Sequence, residues 1–96
     1  PMLLGRVTGT LVASQKEPLM EGLKLLVVRQ IGVDNTDAGG YVVAVDAVGA
    51  GVGEVVMSAS GSSARQTGMT RDKPCDAVVM AIVDSWDVDG ETVYVK

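Results

Sequence analysis

Short apolar segments separated by polar turns constrain this chain more than any other feature of its sequence. They span about residues 3–14, 24–31, 41–48, 54–59, 76–88 and 92–96. In the first segment Leu3, Val7, Leu11 and Ala13 share one parity, which is typical of a strand with one buried face. The segment 24–31 is almost continuously apolar, which favours a strand covered on both faces and therefore a neighbour for the second face. The sequence thus predicts strands rather than helices.

The turns between these segments indicate how the strands connect. Gly5 and Gly9 fall on the inward parity of the first strand, where a missing side chain permits a sharp bend or a close approach of backbones. The Asp89-Gly90 pair favours a type I′ hairpin that returns the chain as the last strand. The serines of segment 60–66 are suited to cap one or two helical turns. The expected fold is mostly β: a small OB-like five-stranded β-barrel with one short helix and a C-terminal hairpin.

Length and hydropathy predict one domain spanning residues 1–96. Pro1 stands ahead of Met2, and we interpret it as a residue added before the natural start. No apolar run approaches the roughly 20 residues that cross a bilayer, and the start of the chain lacks signal-peptide features. We therefore expect a cytoplasmic protein without a membrane partner. Only 21% of the residues are charged and 47% are apolar, a composition that fits either apolar contact with another protein or a slightly apolar monomer.

The charge balance argues against nucleic acid as a partner. The net charge is −4, whereas phosphate binding requires an excess of Lys and Arg. Tyr41, Trp86 and Tyr94 are the only aromatic residues, too few for a platform on which bases stack. Trp86 is instead expected to be a core or interface anchor. A nucleic-acid-binding OB module remains the alternative function, because the barrel itself is a common carrier of that activity.

The residue types also argue against catalysis. The chain has no histidine, which removes Ser-His-Asp and Cys-His mechanisms and the commonest neutral metal ligand. A small enzyme using Asp46, Glu54 or Asp84 remains conceivable, but their spacing does not support it. Cys75 is the only cysteine and has no partner at metal-ligand spacing, so we interpret it as a structural or incidental thiol. The sequence predicts a protein that is not an enzyme and holds no cofactor and no metal.

Two glycine-bearing motifs remain as candidate contact surfaces. The first consists of Gly49, Ala50, Gly51, Val52, Gly53 and Glu54. Its spacing differs from that of a dinucleotide loop, so it serves either close packing of backbones from adjacent subunits or a wide turn within one subunit. The second consists of Gly61, Ser62, Ser63, Ala64 and Arg65. It lacks the second glycine of a serine-nucleophile turn, so its serines are read as helix caps and its arginine as solvated or bonded outside the helix.

Taken together, these motifs resemble the EutN/CcmL family of bacterial microcompartment vertex proteins. The likeness is carried, in this order and spacing, by residues 45–54, 61–65 and 81–84, with support from residues 5–9 and 24–28. It covers nearly the whole chain. Departures concentrate in residues 32–40, 71–75 and 84–96, and they concern the type of shell and its cargo rather than the fold.

The resemblance implies an OB-like barrel that assembles into a cyclic homopentamer. Such a pentamer caps the five-fold vertices of a polyhedral shell that is otherwise tiled by hexameric proteins and encloses enzymes in the cytoplasm. A ring of this kind closes when neighbouring subunits are related by one fifth of a turn. The resemblance also makes residues 49–54 and 61–65 candidates for the subunit interface or a central pore, without deciding which motif lines the axis.

Overall fold

The structure, a computed structural model, describes residues 2–61, 64, 67–68 and 76–96. Its strands are β1 (Met2–Leu11), β2 (Leu25–Ile31), β3 (Asp37–Asp46), β4 (Val55–Ser60), β5 (Ala77–Ile82), β6 (Ser85–Val88) and β7 (Glu91–Val95). A single turn of 3-10 helix, Pro18–Met20, lies in the connection between β1 and β2. The predicted helical turn at residues 60–66 falls largely outside the described residues.

The first five strands close into a barrel in the order β1-β2-β3-β5-β4, with β4 pairing back to β1. Only β3 and β5 run parallel, and the other neighbours are antiparallel. β6 and β7 form a separate two-stranded sheet, here called the ribbon. This architecture confirms the predicted OB-like barrel with a C-terminal hairpin.

A bulge in β1 bends the barrel wall. Val7 pairs with Val28 whereas Gly9 pairs with Val27, so β1 carries one extra residue at this point. An extra residue exchanges the two faces of a strand beyond it. The expected inward position of Leu11 is therefore wrong, and this side chain is 38% exposed.

Small aliphatic side chains fill the barrel. The buried residues of the main cluster are Val7, Leu26, Val28, Ala44, Ala50, Val56, Ala77 and Val79. A second cluster contains Val45, Ala59, Ala64 and Val78. Because valine and alanine reach only a short distance from the backbone, the strands lie close together around this core. Gly5 takes part in this fit, since a Cβ placed there would collide with the Val28 side chain.

Strand β2 shows the expected covering on one face only. Leu26 and Val28 are buried, while Leu25 and Val27 on the outer face are half-buried. Val27 pairs with Val43 of β3, which is 47% exposed. Among the residues that the structure describes, the neighbour predicted for the second face of β2 is not found.

The segment 76–88 differs from its prediction as one long strand. It divides into β5 and β6, and Val83 between them donates its N–H to the Val55 carbonyl at 2.8 Å. The predicted hairpin is confirmed at Asp89 and Gly90, whose φ values of 53° and 81° are those of a type I′ turn. Strand β3 begins at Asp37, four residues before the start of the predicted segment 41–48.

Candidate subunit-contact site

The loop that joins β3 to β4, residues 47–54, is held by a buried carboxylate. Asp46 is 4% exposed. Its Oδ1 accepts the backbone N–H groups of Val48, Gly49 and Ala50 at 3.0, 3.0 and 3.2 Å. A carboxylate that accepts several backbone N–H groups fixes the conformation of the loop. Asp46 thus acts as a structural brace, a role that the sequence reading did not assign to it.

The other oxygen of Asp46 has a weaker partner. Lys24 Nζ lies 3.7 Å from Oδ2, within ion-pair range, yet Oδ2 has no hydrogen-bond partner among the described residues. Both statements hold, since 3.7 Å is too long for a hydrogen bond but close enough for charge attraction. Lys24 therefore compensates the buried charge without anchoring it. Among the described residues, no cluster of three or more metal-ligating side chains occurs.

Two of the three loop glycines meet a conformational requirement. Gly49 and Gly53 have φ values of 76° and 95°, which residues with a side chain rarely adopt, whereas Gly51 has no positive φ. Ala50 is buried in the core, and Val52 is 65% exposed. The loop therefore turns one apolar side chain inward and presents another to solvent.

Glu54 braces the same loop from its end. Its Oε1 accepts the Gly51 N–H at 2.6 Å, and its Oε2 pairs with Lys96 Nζ at 2.8 Å. The hydrogen bond from Lys96, followed by that from Gly51, lowers the pKa of Glu54 below its ordinary value. The same pair raises the pKa of Lys96. Arg6 completes the arrangement by donating to the Gly53 carbonyl at 3.2 Å.

The second motif is described only in part. Gly61 has a φ of 69° and donates its N–H to the Asp76 carbonyl at 2.9 Å. Ala64 is fully buried in the second core cluster, so its side chain packs inside the subunit. The remaining predicted residues Ser62, Ser63 and Arg65, together with Cys75, lie outside the described residues.

The structure does not bring Glu54 of the first motif and Gly61 of the second together. Glu54 immediately precedes β4 and Gly61 immediately follows it. A strand of this length separates its ends by roughly 20 Å at about 3.3 Å per residue. Glu54 and Gly61 therefore lie at opposite ends of β4, and each is a separate candidate for contact.

The ribbon is joined to the barrel by its aromatic face. Trp86 and Tyr94 stack with ring centroids 5.1 Å apart. Trp86 Nε1 donates to the Val33 carbonyl at 2.8 Å, and the guanidinium carbon of Arg6 lies 6.0 Å from the centre of the Tyr94 ring. Trp86 is thus an anchor between the ribbon and the turn after β2.

Large apolar side chains remain exposed on several surfaces of the chain. Those at least half exposed are Met2, Val12, Leu19, Val33, Tyr41, Val52 and Val95. Exposed apolar area of this kind marks contact with other proteins when it is contiguous. No helix within the described part of the chain has the length and hydropathy to span a membrane.

The closed barrel, its braced glycine loop and its attached ribbon define a small OB-like subunit of a known class. Residues 2–84 match the EutN_CcmL family, described as "Ethanolamine utilisation protein EutN/carboxysome". The chain belongs to this family, as its motifs indicated.

Three relatives show how close the likeness is. The carboxysome shell vertex protein CcmL of Gloeobacter violaceus is 45% identical over 95 residues, which cover 99% of this chain and 95% of the relative. Its solved structure superposes with a TM-score of 0.94 over 98% of this chain and 97% of CcmL. The microcompartment shell vertex protein PduN of Salmonella typhimurium is 46% identical over 88 residues, 88% of this chain and 97% of PduN. The GrpN pentameric microcompartment shell protein of Rhodospirillum rubrum has a TM-score of 0.80 at 41% identity, covering 90% of this chain and 96% of GrpN.

These relatives are structural shell vertex proteins and not enzymes. The prediction that this chain is not an enzyme is thereby confirmed. The structure adds a physical reason: Asp46 is occupied by three loop N–H groups, and Glu54 by Lys96 and Gly51. Carboxylates engaged in this way stabilise the fold and are not free to act on a substrate.

Proposed function

We propose that this chain forms a cyclic homopentamer that caps the five-fold vertices of a bacterial microcompartment shell. The observation that carries the proposal is the superposition on a carboxysome shell vertex protein with a TM-score of 0.94 over 98% of the chain. A five-fold unit inserted among six-fold units forces curvature, which is how a vertex closes a polyhedron. In this proposal residues 1–96 act as one unit.

The pentameric state rests on two further observations. GrpN, 41% identical in sequence, is described as a pentameric shell protein. In addition, the outer face of β2 and β3 leaves Val43 47% exposed and Tyr41 60% exposed. Permanent interfaces are more apolar than ordinary surface and resemble a domain core cut in two. A second copy of the chain is the partner that such a face fits.

Native mass spectrometry tests the ring directly. Five chains of 9.9 kDa each give one dominant species at micromolar concentration. A chain that remains monomeric at that concentration contradicts the proposal. We further propose that the ring sits in the cytoplasm within a shell whose facets are hexameric shell proteins. Co-expression with candidate hexameric proteins checks this, because closed shells should form with the chain and open or tubular assemblies without it.

The loop at residues 49–54 and the motif at residues 61–65 are proposed as subunit-contact or pore segments. Val52 supports the first assignment, since it is 65% exposed on a loop that Asp46 and Glu54 hold rigid. Val52→Asp is expected to lower the fraction of pentamer while leaving the far-UV circular dichroism spectrum of the subunit unchanged. Unchanged assembly in this variant would remove the loop from the interface.

We propose that nucleic acid is not a partner. The net charge is −4, and the aromatic rings are engaged within the chain: Trp86 stacks on Tyr94, and the Arg29 guanidinium lies 5.0 Å above Tyr41. Single-stranded binding needs free aromatic faces in a basic groove. Passage over immobilised single-stranded DNA at low salt should show no retention, and salt-dependent retention would favour the OB-module alternative.

A further inference from the structure

A basic, apolar groove opens at the end of β1 and the start of β2. Five of its lining side chains are apolar, namely Leu11, Val12, Ala13, Leu23 and Leu25, and Val12 is 90% exposed. The charged side chains that line it, Lys16 and Lys24, are both cationic. Lys16 Nζ is held by the Ala13 carbonyl at 2.9 Å, and the Lys24 side chain is 58% exposed. The groove therefore suits an occupant that is apolar and acidic.

The ribbon has that composition. Asp84, Asp87, Asp89 and Glu91 are exposed on it or at its base, while Lys96 is already paired with Glu54. Trp86 and Tyr94 form the face toward the barrel, so the pairs Ser85–Val95 and Asp87–Thr92 belong to the outer face. Val95 on this face is 70% exposed. The outer face of the ribbon thus carries an apolar side chain beside a carboxylate.

The ribbon of a chain does not reach the groove of the same chain. Trp86 fixes the ribbon to Val33, just beyond the end of β2, whereas the groove surrounds Leu25 at the start of β2. The seven residues of β2 separate these two places by roughly 20 Å. The molecule is correspondingly long, with extents of 46 × 23 × 22 Å. One chain thus presents two complementary surfaces at different ends.

We propose that the acidic outer face of the ribbon docks into the lysine-bearing groove of the next subunit in the ring. The inference rests on the proposed pentamer and identifies one of its contacts. A head-to-tail ring requires two different surfaces on each subunit that fit each other. Opposite charges on such surfaces select the correct partner and orientation. The ribbon begins at Ser85, immediately after the residues 2–84 that match the family, so its contact adds to those made by the shared barrel.

Zero-length carbodiimide coupling on the unmodified protein tests this contact, because it joins a lysine only to a carboxylate that touches it. The Lys96–Glu54 pair at 2.8 Å is an internal control for coupling within a chain. We expect covalent multiples of the chain on a denaturing gel, with Lys16 or Lys24 joined to Asp87 or Asp89 in peptide maps of the covalent dimer. An intact pentamer that couples Lys96 to Glu54 but never joins the groove to the ribbon would overturn the docking and leave the pentamer standing.

Charge reversal gives an independent test. Lys16→Glu and Asp87→Lys are each expected to raise the concentration at which the ring dissociates by about tenfold, the loss of one modest ionic contact. The double variant Lys16→Glu/Asp87→Lys should restore the original value to within about threefold. Far-UV circular dichroism of each variant shows whether the subunit itself is folded. Additive losses in the double variant would overturn the docking, whereas a monomeric parent protein would overturn the pentamer and the docking together.

Discussion

At the scale of single residues, Gly5 shows how a missing side chain sets the spacing of two strands. It lies buried in β1 opposite β2. A Cβ at this position would meet Val28 Cγ1 and would lie 3.0 Å from the Arg29 carbonyl oxygen. The backbone oxygen has no freedom to move away, so the close pairing of the strands depends on glycine here.

Gly5→Ala should therefore destabilise the subunit by about 1–3 kcal/mol, the usual cost of overpacking a core. Gly9→Ala is the matched control in the same strand, since no atom lies within 4 Å of a Cβ added there. It should change the free energy of unfolding by less than about 0.5 kcal/mol. Denaturant unfolding of both variants at one protein concentration checks the contrast, and equal losses would contradict it.

The contact between Glu54 and Lys96 makes stability depend on pH. Because the folded state lowers the pKa of Glu54, its contribution is present above the ordinary glutamate pKa and is lost as pH falls through the lowered value. Glu54→Gln retains an oxygen for the Gly51 N–H and removes the charge. We expect this variant to melt below the parent at pH 7 and to converge with it as the pH falls toward 3.

Thermal unfolding between pH 7 and pH 3 measures this convergence. Glu21→Gln provides a control, since Glu21 is an exposed carboxylate in the loop before β2. Its melting temperature should follow that of the parent throughout. If the melting temperatures of Glu54→Gln and the parent still differ by the same amount at pH 3, the charge of Glu54 does not cause the difference.

At the scale of elements, the glycines of the loop at residues 49–54 have two different roles, which the sequence alone does not distinguish. Gly49 and Gly53 need a positive φ, so alanine at either position should cost the subunit about 1–2 kcal/mol. Gly51 has no such need, and a Cβ there would lie 3.4 Å from Glu54 Oε1. Gly51→Val is thus expected to impair assembly more than folding.

Native mass spectrometry checks this ordering of the loop variants together with thermal unfolding at a dilution at which every variant is monomeric. Gly49→Ala and Gly53→Ala should lower the melting temperature, whereas Gly51→Val should mainly lower the fraction of pentamer. If Gly51→Val assembles normally, the loop is a turn and not a contact.

Local sequence predicted the elements well where one rule decides the structure. The Asp89-Gly90 turn was found because two adjacent residues with positive φ leave few alternatives. The inward position predicted for Leu11 was wrong because of the bulge in β1. This bulge is seen only in how Val7 and Gly9 pair with β2, which the local sequence does not show. The break of segment 76–88 was missed for a similar reason, since Val83 is tied to Val55 by a long-range hydrogen bond.

The position of the candidate loop was predictable from the sequence, but the contacts that hold its conformation were not. The glycine motif at residues 49–54 marked the loop between β3 and β4. The brace by Asp46 was not anticipated, although an aspartate placed two to four residues ahead of such a loop is a recognisable signal. The pairing of Glu54 with Lys96, 42 residues later in the chain, has no local signal at all.

At the scale of the whole molecule, the chain contains few charged residues. Only 21% of the residues are charged, and the apolar side chains left exposed lie on both the barrel and the ribbon. Because valine and alanine side chains are small, the core is thin, and a single chain leaves part of its apolar area exposed. In the proposed pentamer, contacts between copies of the chain would bury part of this remaining apolar area and thereby add stability.

The melting temperature is therefore expected to rise with protein concentration. When a pentamer unfolds to single chains, mass action stabilises each chain by four fifths of RT ln 10, or about 1.1 kcal/mol, for every tenfold increase in concentration. For a domain of this size 1 kcal/mol corresponds to roughly 4–8 °C. Scans at 1 and 100 µM should thus differ by roughly 10 °C or more. A monomeric barrel melts at the same temperature at every concentration, because its unfolding does not change the number of molecules. Identical melting temperatures at the two concentrations would therefore contradict the ring.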